Sequence, residues 1–348
     1  MYNPPQITKN PQLPVALIAG GAGFIGSHLS EYLLSQGLRV VVVDSLQTGS
    51  KDLITQFTGH PRFAFIQYDL NIGIPAKIES CDFIINLAGE ELHLTGKDNL
   101  EMDSLVTNAV AVRNLLELAR SCSAKTVITS SINVYQGAIS ATNLKNYFGA
   151  TEEEERSFSY SESKRYAESL AFEYFKKYKL DVRVVRFGEV YGPRMDLKAT
   201  SNLGRFIENV LKGDNLVVYG DGLEKEYYCY ISDALDGLSK ALFKPDTIGG
   251  IFPITDINPI TVLELAYLIK SYALPGTQVI FKPKFEDLEI PEVKVVDGKI
   301  QRELKWKPKI TLRDGIKLTL DQFGFGRTPG QKTTKTHEMG EIITENFI

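Results

Sequence analysis

Cysteine is scarce in this sequence of 348 residues: Cys81, Cys122 and Cys229 are odd in number and form no C-x-x-C pair. This usage argues against a disulfide framework or a cysteine zinc site, and it is typical of a reducing cytoplasm. The four histidines are equally dispersed, so we predict no metal site. There is also no excess of basic residues, because 39 Lys and Arg stand against 43 Asp and Glu for a net charge of −4. That balance argues against a nucleic-acid partner.

Long hydrophobic runs are missing as well. No segment approaches roughly 18 uncharged apolar residues, and the amino terminus lacks the basic-then-apolar pattern of a signal peptide. We therefore expect a cytoplasmic protein with no membrane partner. The composition, 43% hydrophobic and 24% charged, is that of an ordinary globular protein. The length predicts two structural units or one enlarged α/β unit.

Short apolar runs alternate with helix-period segments from Val15 onward. The runs predicted as buried strands are Val15–Ala19, Arg39–Val43, Phe63–Ile66, Phe83–Leu87, Thr126–Thr129 and Val182–Phe187. The segments predicted as helices between them are His28–Leu34, Leu105–Arg120 and Ser161–Lys177. Continuous apolar strands separated by helices predict an α/β fold with a parallel sheet covered on both faces.

The alternation of apolar strands and amphipathic helices becomes less regular after Gly188. This change predicts a smaller carboxyl-terminal lobe packed along a cleft. Its predicted elements are the strands Asn215–Tyr219 and Gly250–Ile254 and the helices Asp233–Phe243, Thr261–Tyr272 and Leu312–Gln322. We divide the chain into a leader that frays (1–14), a first domain (15–188, with 182–194 crossing to the lobe), the lobe (189–322) and a tail (323–348).

A dinucleotide site is predicted where the first strand runs into a G-x-x-G-x-x-G motif and a helix. The glycines Gly20, Gly23 and Gly26 allow a tight turn, a backbone close to a pyrophosphate and a helix packed against its strand. Asp44 ends the next strand, where a carboxylate accepts both ribose hydroxyls and repels a 2′-phosphate. These features predict NAD rather than NADP.

Two further strand ends add candidate cofactor contacts. Asp69 and Leu70 follow the third strand and suit the adenine edge, although an aspartate there is also an ordinary turn residue. Leu87 and Gly89 follow the fourth strand, where the chain must pass close to the cofactor. His28, on the first helix, is expected to be packed or at the surface rather than a ligand.

The candidate catalytic residues are Tyr160, Lys164 and Ser131. A spacing of four places the phenol and the ammonium on one helix face, where the ammonium stabilises the phenolate. The phenolate can then accept a proton from a substrate hydroxyl while a hydride passes to NAD⁺. Ser131 follows a strand at the edge where parallel sheets bind ligands, and can orient the same hydroxyl, unless it only caps the following turn.

Together these motifs resemble the extended short-chain dehydrogenase/reductases that act as NAD-dependent nucleotide-sugar epimerases and dehydratases. The resemblance rests on Gly20–Gly26, Asp44, Asn108, Ser131, Tyr160, Lys164 and Val190–Arg194 and covers residues 15–320. It implies a Rossmann domain, a substrate lobe, a Ser/Tyr/Lys triad, a nucleotide-linked sugar and a homodimer formed through two helices per subunit. It also implies five further NAD contacts, at Phe24, Ile25, Ser45, Thr48 and Thr107.

Three positions depart from the family pattern. Asn133 stands where decarboxylases and 4,6-dehydratases hold an acid/base glutamate. Glu189 and Glu226 stand where relatives hold an asparagine and an arginine against the substrate diphosphate, which leaves Lys225 or Arg194 to bind it. Because a 4-epimerase needs no carboxylate at position 133, we expect a 4-epimerase. The alternatives are a UDP-glucuronate decarboxylase-like enzyme with an altered site, and an NAD-binding module without catalysis.

Overall fold

The computed structural model describes residues 7, 13–89, 105–135, 156–197, 201–283 and 303–325. These residues form the strands β1 (Val15–Ala19), β2 (Arg39–Asp44), β3 (Phe63–Gln67), β4 (Phe83–Asn86), β5 (Lys125–Ser131), β6 (Val182–Phe187), β7 (Glu189–Tyr191), β8 (Leu216–Tyr219), β9 (Lys225–Glu226), β10 (Tyr228–Tyr230), β11 (Ile251–Ile254), β12 (Ile260–Thr261) and β13 (Val279–Lys282). Their helices are α1 (Phe24–Ser35), α2 (Val112–Cys122), α3 (Arg156–Tyr178), α4 (Asn202–Lys212), α5 (Ile231–Phe243), α6 (Val262–Lys270) and α7 (Leu312–Gln322).

A seven-stranded parallel sheet in the order β3-β2-β1-β4-β5-β6-β11 forms the centre of the molecule. The order reverses beside β1, which is the doubly wound Rossmann topology and confirms the predicted fold class. Ligands of such sheets bind at the carboxyl ends of the strands next to this reversal. The fold therefore places the glycine motif after β1 at the binding edge.

Alternate side chains of the central strands enter two separate cores. In β1, Ala16 and Ile18 pack on the face that α1 and α5 cover, whereas Leu17 packs on the face that α2 and α3 cover. All three side chains are fully buried. Burial on both faces explains why the strands appear in the sequence as unbroken apolar runs.

The structure adds α4 and the short strands β7, β9, β10, β12 and β13, which were not predicted, and it differs from the predicted elements in three further places. The segment predicted as one helix, Leu105–Arg120, contains a π-helical turn at Thr107–Ala111 before α2 begins. Part of the predicted leader is docked rather than frayed, because Ile7 is buried and pairs with Ile78. The strand assigned to the lobe, β11, instead extends the large sheet beside β6. The leader residues 1–6 and 8–12 and the tail residues 326–348 lie outside the described part.

The carboxyl-terminal elements form three short two-stranded sheets, β7 with β10, β8 with β13 and β9 with β12. The antiparallel β9–β12 pair places Glu226 opposite Ile260, directly before α6. Thr261 begins that helix with a capping box to Glu264. The division at residue 188 stays a prediction. Among the described residues, no helix combines the length and the apolar content needed to cross a membrane.

Candidate active site

A cleft of about 1080 Å³ opens at the carboxyl ends of the central strands. It runs from the glycine turn and Asp44 at one end to Glu189 and Glu226 at the other. All of the residues predicted from the sequence line it: Gly20, Gly23, Phe24, Ile25, Gly26, Asp44, Ser45, Thr48, Asp69, Leu70, Leu87, Gly89, Thr107, Ser131, Asn133, Tyr160, Lys164, Glu189, Arg194, Lys225 and Glu226. Their common location is an observation; the role of each residue stays a prediction.

The turn leaves no space for a side chain at Gly20 or at Gly26. Gly20 has a φ of +74°, and a Cβ there would lie 2.7 Å from the backbone nitrogen of Ala88. A Cβ on Gly26 would lie 2.5 Å from Cα of Gly21. No side chain caps the amino end of α1, and its first turn holds no acidic residue. The cradle therefore has the shape and the polarity that suit a pyrophosphate at the positive end of a helix.

Asp44 is buried at the end of β2 and bonded on both carboxylate oxygens. Oδ2 accepts the backbone N–H of Ala22 at 2.9 Å and Oδ1 accepts that of Leu46 at 2.8 Å. Burial raises the pKa of this carboxyl group, and the two backbone bonds oppose the shift. Each oxygen keeps acceptor capacity for a ribose hydroxyl. The two backbone donors orient the carboxylate, which the sequence did not indicate.

Asp69 combines the two roles considered for it. Its Oδ1 accepts the backbone N–H of Asn71 at 2.9 Å, which is the turn role, and the residue also lines the cleft. Asn71 in turn donates to Oγ1 of Thr107 at 3.1 Å. This contact joins the end of β3 to the π-helical turn across the adenine side of the predicted NAD site.

Tyr160 and Lys164 lie together on the first turns of α3. The Lys164 Nζ is 5.5 Å from the centre of the Tyr160 ring, and this lysine is buried with 4% of its surface exposed. A Cβ on Gly89 would lie 2.7 Å from that Nζ, so a side chain at position 89 would displace the ammonium group. The pair therefore lies between the cofactor side and the substrate side of the cleft.

A buried asparagine supports this helix from the π-helical turn. The Nδ2 of Asn108 donates to Oγ of Ser163 at 3.2 Å, and Ser163 donates to the backbone carbonyl of Tyr160 at 2.7 Å. Turns of this kind are rare and recur at functional sites. Ser163 was missed by the sequence reasoning, because only its position beside Tyr160 in the fold reveals it.

Ser131 is the last residue of β5 and faces the cleft. Its Oγ accepts the backbone N–H of Asn133 at 3.1 Å, so the hydroxyl hydrogen remains available to a substrate oxygen. The predicted turn cap and the predicted catalytic contact are therefore compatible. The amide of Asn133 lines the cleft two residues farther on.

The substrate end of the cleft holds Glu189 and Glu226, and the Glu226 carboxylate has protein partners. Glu226 accepts the Nδ2 of Asn202 at 2.7 Å and the hydroxyl of Tyr228. Burial raises its pKa, and these hydrogen bonds and the nearby Arg205 oppose that shift. Glu189, on β7, is paired in register with Tyr228 of β10. Asn202 and Tyr228 were not found from the sequence, because they are functional candidates only through their contacts with Glu226.

The cations expected to bind phosphate differ in their availability. Arg194 has a φ of +68° and forms a 2.5 Å ion pair with Glu31 of α1, so its guanidinium group mainly holds the crossing segment against that helix. Lys225 is exposed at the rim. His28, next to this ion pair, is buried with Nε2 2.7 Å from the Pro193 carbonyl oxygen. Its location agrees with a packed histidine.

Comparisons with known proteins identify a family whose cofactor suits the glycine cradle and Asp44. A model of the NAD-dependent epimerase/dehydratase family matches residues 16–254. UDP-glucuronic acid decarboxylase 5 of Arabidopsis thaliana is 33% identical over 309 residues, which are 88% of each chain. UDP-glucuronic acid decarboxylase 1 of Danio rerio is 28% identical over 92% of this chain and 75% of its own.

Solved structures show the same fold. The dTDP-glucose 4,6-dehydratase DesIV of Streptomyces venezuelae, with NAD and TYD bound, has a TM-score of 0.73 at 25% identity, covering 90% of this chain and 98% of its own. UDP-glucose 4-epimerase of Thermus thermophilus, in complex with NAD, has a TM-score of 0.71 at 25% identity, covering 90% of this chain and all of its own.

Proposed function

Because this chain belongs to the NAD-dependent epimerase/dehydratase family, we propose that it oxidises a nucleotide-linked uronic acid transiently and releases its carboxylate as CO₂. Membership makes it an enzyme with NAD as cofactor, so the reading as a non-catalytic module is not supported. The observation that carries the reaction class is the identity of 33% to a UDP-glucuronic acid decarboxylase over 88% of both chains.

We assign the chemical steps to the residues that meet in the cleft. Bound NAD⁺ supplies a hydride acceptor. Tyr160 accepts the proton of the sugar hydroxyl as that carbon is oxidised, Lys164 stabilises the phenolate and Ser131 orients the hydroxyl. The short spacing between Tyr160 and Lys164 and the orientation of Ser131 at the end of β5 support these roles.

Asn133 is compatible with decarboxylation. When the C4 hydroxyl of a uronic acid has become a ketone, the carboxylate lies β to it. The bond from C5 to the carboxylate then breaks, CO₂ leaves and the electron pair forms an enolate, which takes a proton at C5. Loss of CO₂ itself therefore needs no protein carboxylate. The argument from Asn133 against a decarboxylase is weaker than the sequence reasoning assumed.

Epimerisation at C4 is the second candidate, and the relatives above do not support it as the first. Asn133 is the observation in its favour, because an amide cannot exchange a proton with the substrate and a 4-epimerase needs no such exchange. Both candidates share the oxidation step at Tyr160. They differ in whether carbon is lost.

The test is incubation of the purified protein and NAD with UDP-glucuronate, followed by chromatographic separation of the sugar nucleotides from the substrate and mass spectrometry of each. We expect a UDP-pentose and released CO₂. An isobaric UDP-uronic acid as sole product would instead establish epimerisation. Tyr160→Phe should reduce turnover by roughly 10²- to 10⁴-fold with NAD still bound. The matched control is Tyr178→Phe, at the far end of the same helix with 41% of its surface exposed, which should retain full turnover.

We also propose the homodimer that the family resemblance implies. Val106, Val110 and Tyr166 expose apolar side chains beside α2 and on α3, and we propose these as the two helices that pair. Light scattering of the purified protein should give twice the chain mass; a monomer at micromolar concentration would refute the proposal. The cytoplasmic location stays a prediction.

A further inference from the structure

Two cysteines that are distant in the sequence meet in the fold. Cys81 lies two residues before the start of β4, and Cys122 is the last residue of α2. Their Sγ atoms are 3.9 Å apart. The third cysteine, Cys229, is buried in β10 within the other core. The first two thiols are therefore a pair, which their scattered positions in the sequence did not indicate.

The backbone around this pair is held by independent contacts. The backbone N–H of Lys125 donates to the carbonyl of Asp82 at 2.9 Å, and β4 and β5 pair in parallel from Phe83 and Lys125 onward. Between these residues and α2, Ser123 ends the helix with a φ of 52°. These contacts set the two cysteine backbones side by side whether or not the sulfur atoms are bonded.

The pair lies at the edge of the sheet opposite to the active site. Cys81 comes before β4 and therefore lies at its amino end, whereas the cleft is formed by the carboxyl ends of the strands. Neither cysteine lines the cleft. Cys122 is partly exposed and Cys81 is fully buried, so a small oxidant in solution reaches Cys122 first.

We propose that Cys81 and Cys122 form an oxidisable dithiol site that closes to an intramolecular disulfide. A peroxide oxidises the Cys122 thiolate to a sulfenic acid, with hydroxide as the leaving group. The Cys81 thiol then attacks that sulfur, the S–S bond forms and water leaves. Closure from 3.9 Å to a bonded distance of about 2 Å requires rotation of the side chains. It also releases the 3.0 Å hydrogen bond from Cys122 to the Leu118 carbonyl.

The test is treatment of the purified full-length protein with hydrogen peroxide. Thiol titration after denaturation should fall from three groups to one, and a peptide map should show Cys81 linked to Cys122 within one chain. A dithiol reductant should restore all three. The cross-link should raise the melting temperature by about 5 °C, because it closes a loop of roughly 40 residues in the unfolded chain. Turnover should not change.

Three variants separate the pair from general oxidation. Cys122→Ser and Cys81→Ser should each remove the peptide cross-link and the rise in melting temperature. The matched control, Cys229→Ser, should keep both, with titratable thiols falling from two to none. A cross-link between two chains, a link to Cys229, or an accumulated sulfinic acid at Cys122 without a disulfide would each overturn the proposal. A wild-type protein that retains three thiols after peroxide would also overturn it.

Discussion

Replacement of Gly20 by alanine is the sharpest single test of the cofactor cradle. The new Cβ would lie 2.7 Å from the backbone nitrogen of Ala88 and 2.8 Å from the carbonyl carbon of Leu87. Neither atom belongs to a flexible side chain, so the turn after β1 must move away from the end of β4. Both segments line the predicted pyrophosphate site.

The expected loss in the free energy of unfolding has two parts, and the loss of NAD affinity is a separate effect. The φ of +74° costs an alanine about 1–2 kcal/mol, because the left-handed region is unfavourable for residues with a Cβ. The backbone overlap adds about 1–3 kcal/mol, as overpacking of a close contact does. A turn displaced from the cofactor loses a hydrogen bond to a charged phosphate, which is worth about 1.5–3 kcal/mol. We therefore expect an NAD affinity lower by roughly 10- to 150-fold.

The matched control is Gly59→Ala. Gly59 has a φ of +83°, and a Cβ there meets nothing within 4 Å. The Gly59→Ala variant should lose only the conformational part of the free energy of unfolding, about 1–2 kcal/mol as measured in urea. Its NAD affinity, measured by calorimetry, should be unchanged. If Gly20→Ala and Gly59→Ala were equal in both measurements, the close approach of the turn to Leu87 and Ala88 would have no energetic consequence, and the assignment of the cradle would be wrong.

Three further predictions concern charge. Burial lowers the pKa of His28 to about 4. As the pH falls, the unfolded chain therefore takes up a proton at this histidine before the folded protein does. The free energy of unfolding should then decrease by up to roughly 3 kcal/mol between pH 6.5 and 4. Urea unfolding at several pH values should show a smaller loss for His28→Gln, and equal slopes would contradict this. The double variant Glu189→Asn with Glu226→Gln removes two negative charges from the cleft. Calorimetry at low salt should show UDP-glucuronate binding about tenfold more tightly to this variant than to the native protein. An unchanged affinity would mean that both carboxylates face away from the substrate. NAD should bind at least about tenfold more tightly than NADP in nicotinamide fluorescence titrations, and Asp44→Asn should narrow this ratio; equal affinities in the native protein would remove the argument from Asp44.

The large sheet could be predicted from the sequence because its strands are buried on both faces. β1 and β6 have the predicted bounds, and the other first-domain strands differ by only a few residues. The π-helical turn at Thr107–Ala111 could not be predicted, since its apolar spacing continues that of an ordinary helix. The placement of β11 could not be predicted either. Its apolar pattern is typical of a buried strand, but not of any one neighbour.

The candidate site also has one part that could be predicted from the sequence and one part that could not. Gly20, Asp44, Asp69, Leu87 and Ser131 converge because each lies at or just after the end of a strand at one edge of the sheet, and strand bounds are predictable from local pattern. Tyr160 and Lys164 reach the same edge from the first turns of α3. At the substrate end, the partners of the charged groups are side chains from separate helices and strands. Asn202 of α4 and Tyr228 of β10 bond to Glu226, and Arg194 is paired with Glu31 of α1. No spacing in the sequence indicates these pairs.

The sequence by itself determined the fold class, the cofactor turn and the catalytic helix, because glycine conformation, strand burial and an i, i+4 spacing are properties of short segments. Only the tertiary structure decided which charged groups at the substrate end are already partnered and that Cys81 lies beside Cys122. Those outcomes depend on how helices and strands separated by tens of residues pack against one another, and contacts between such distant segments leave no periodic signal in the chain.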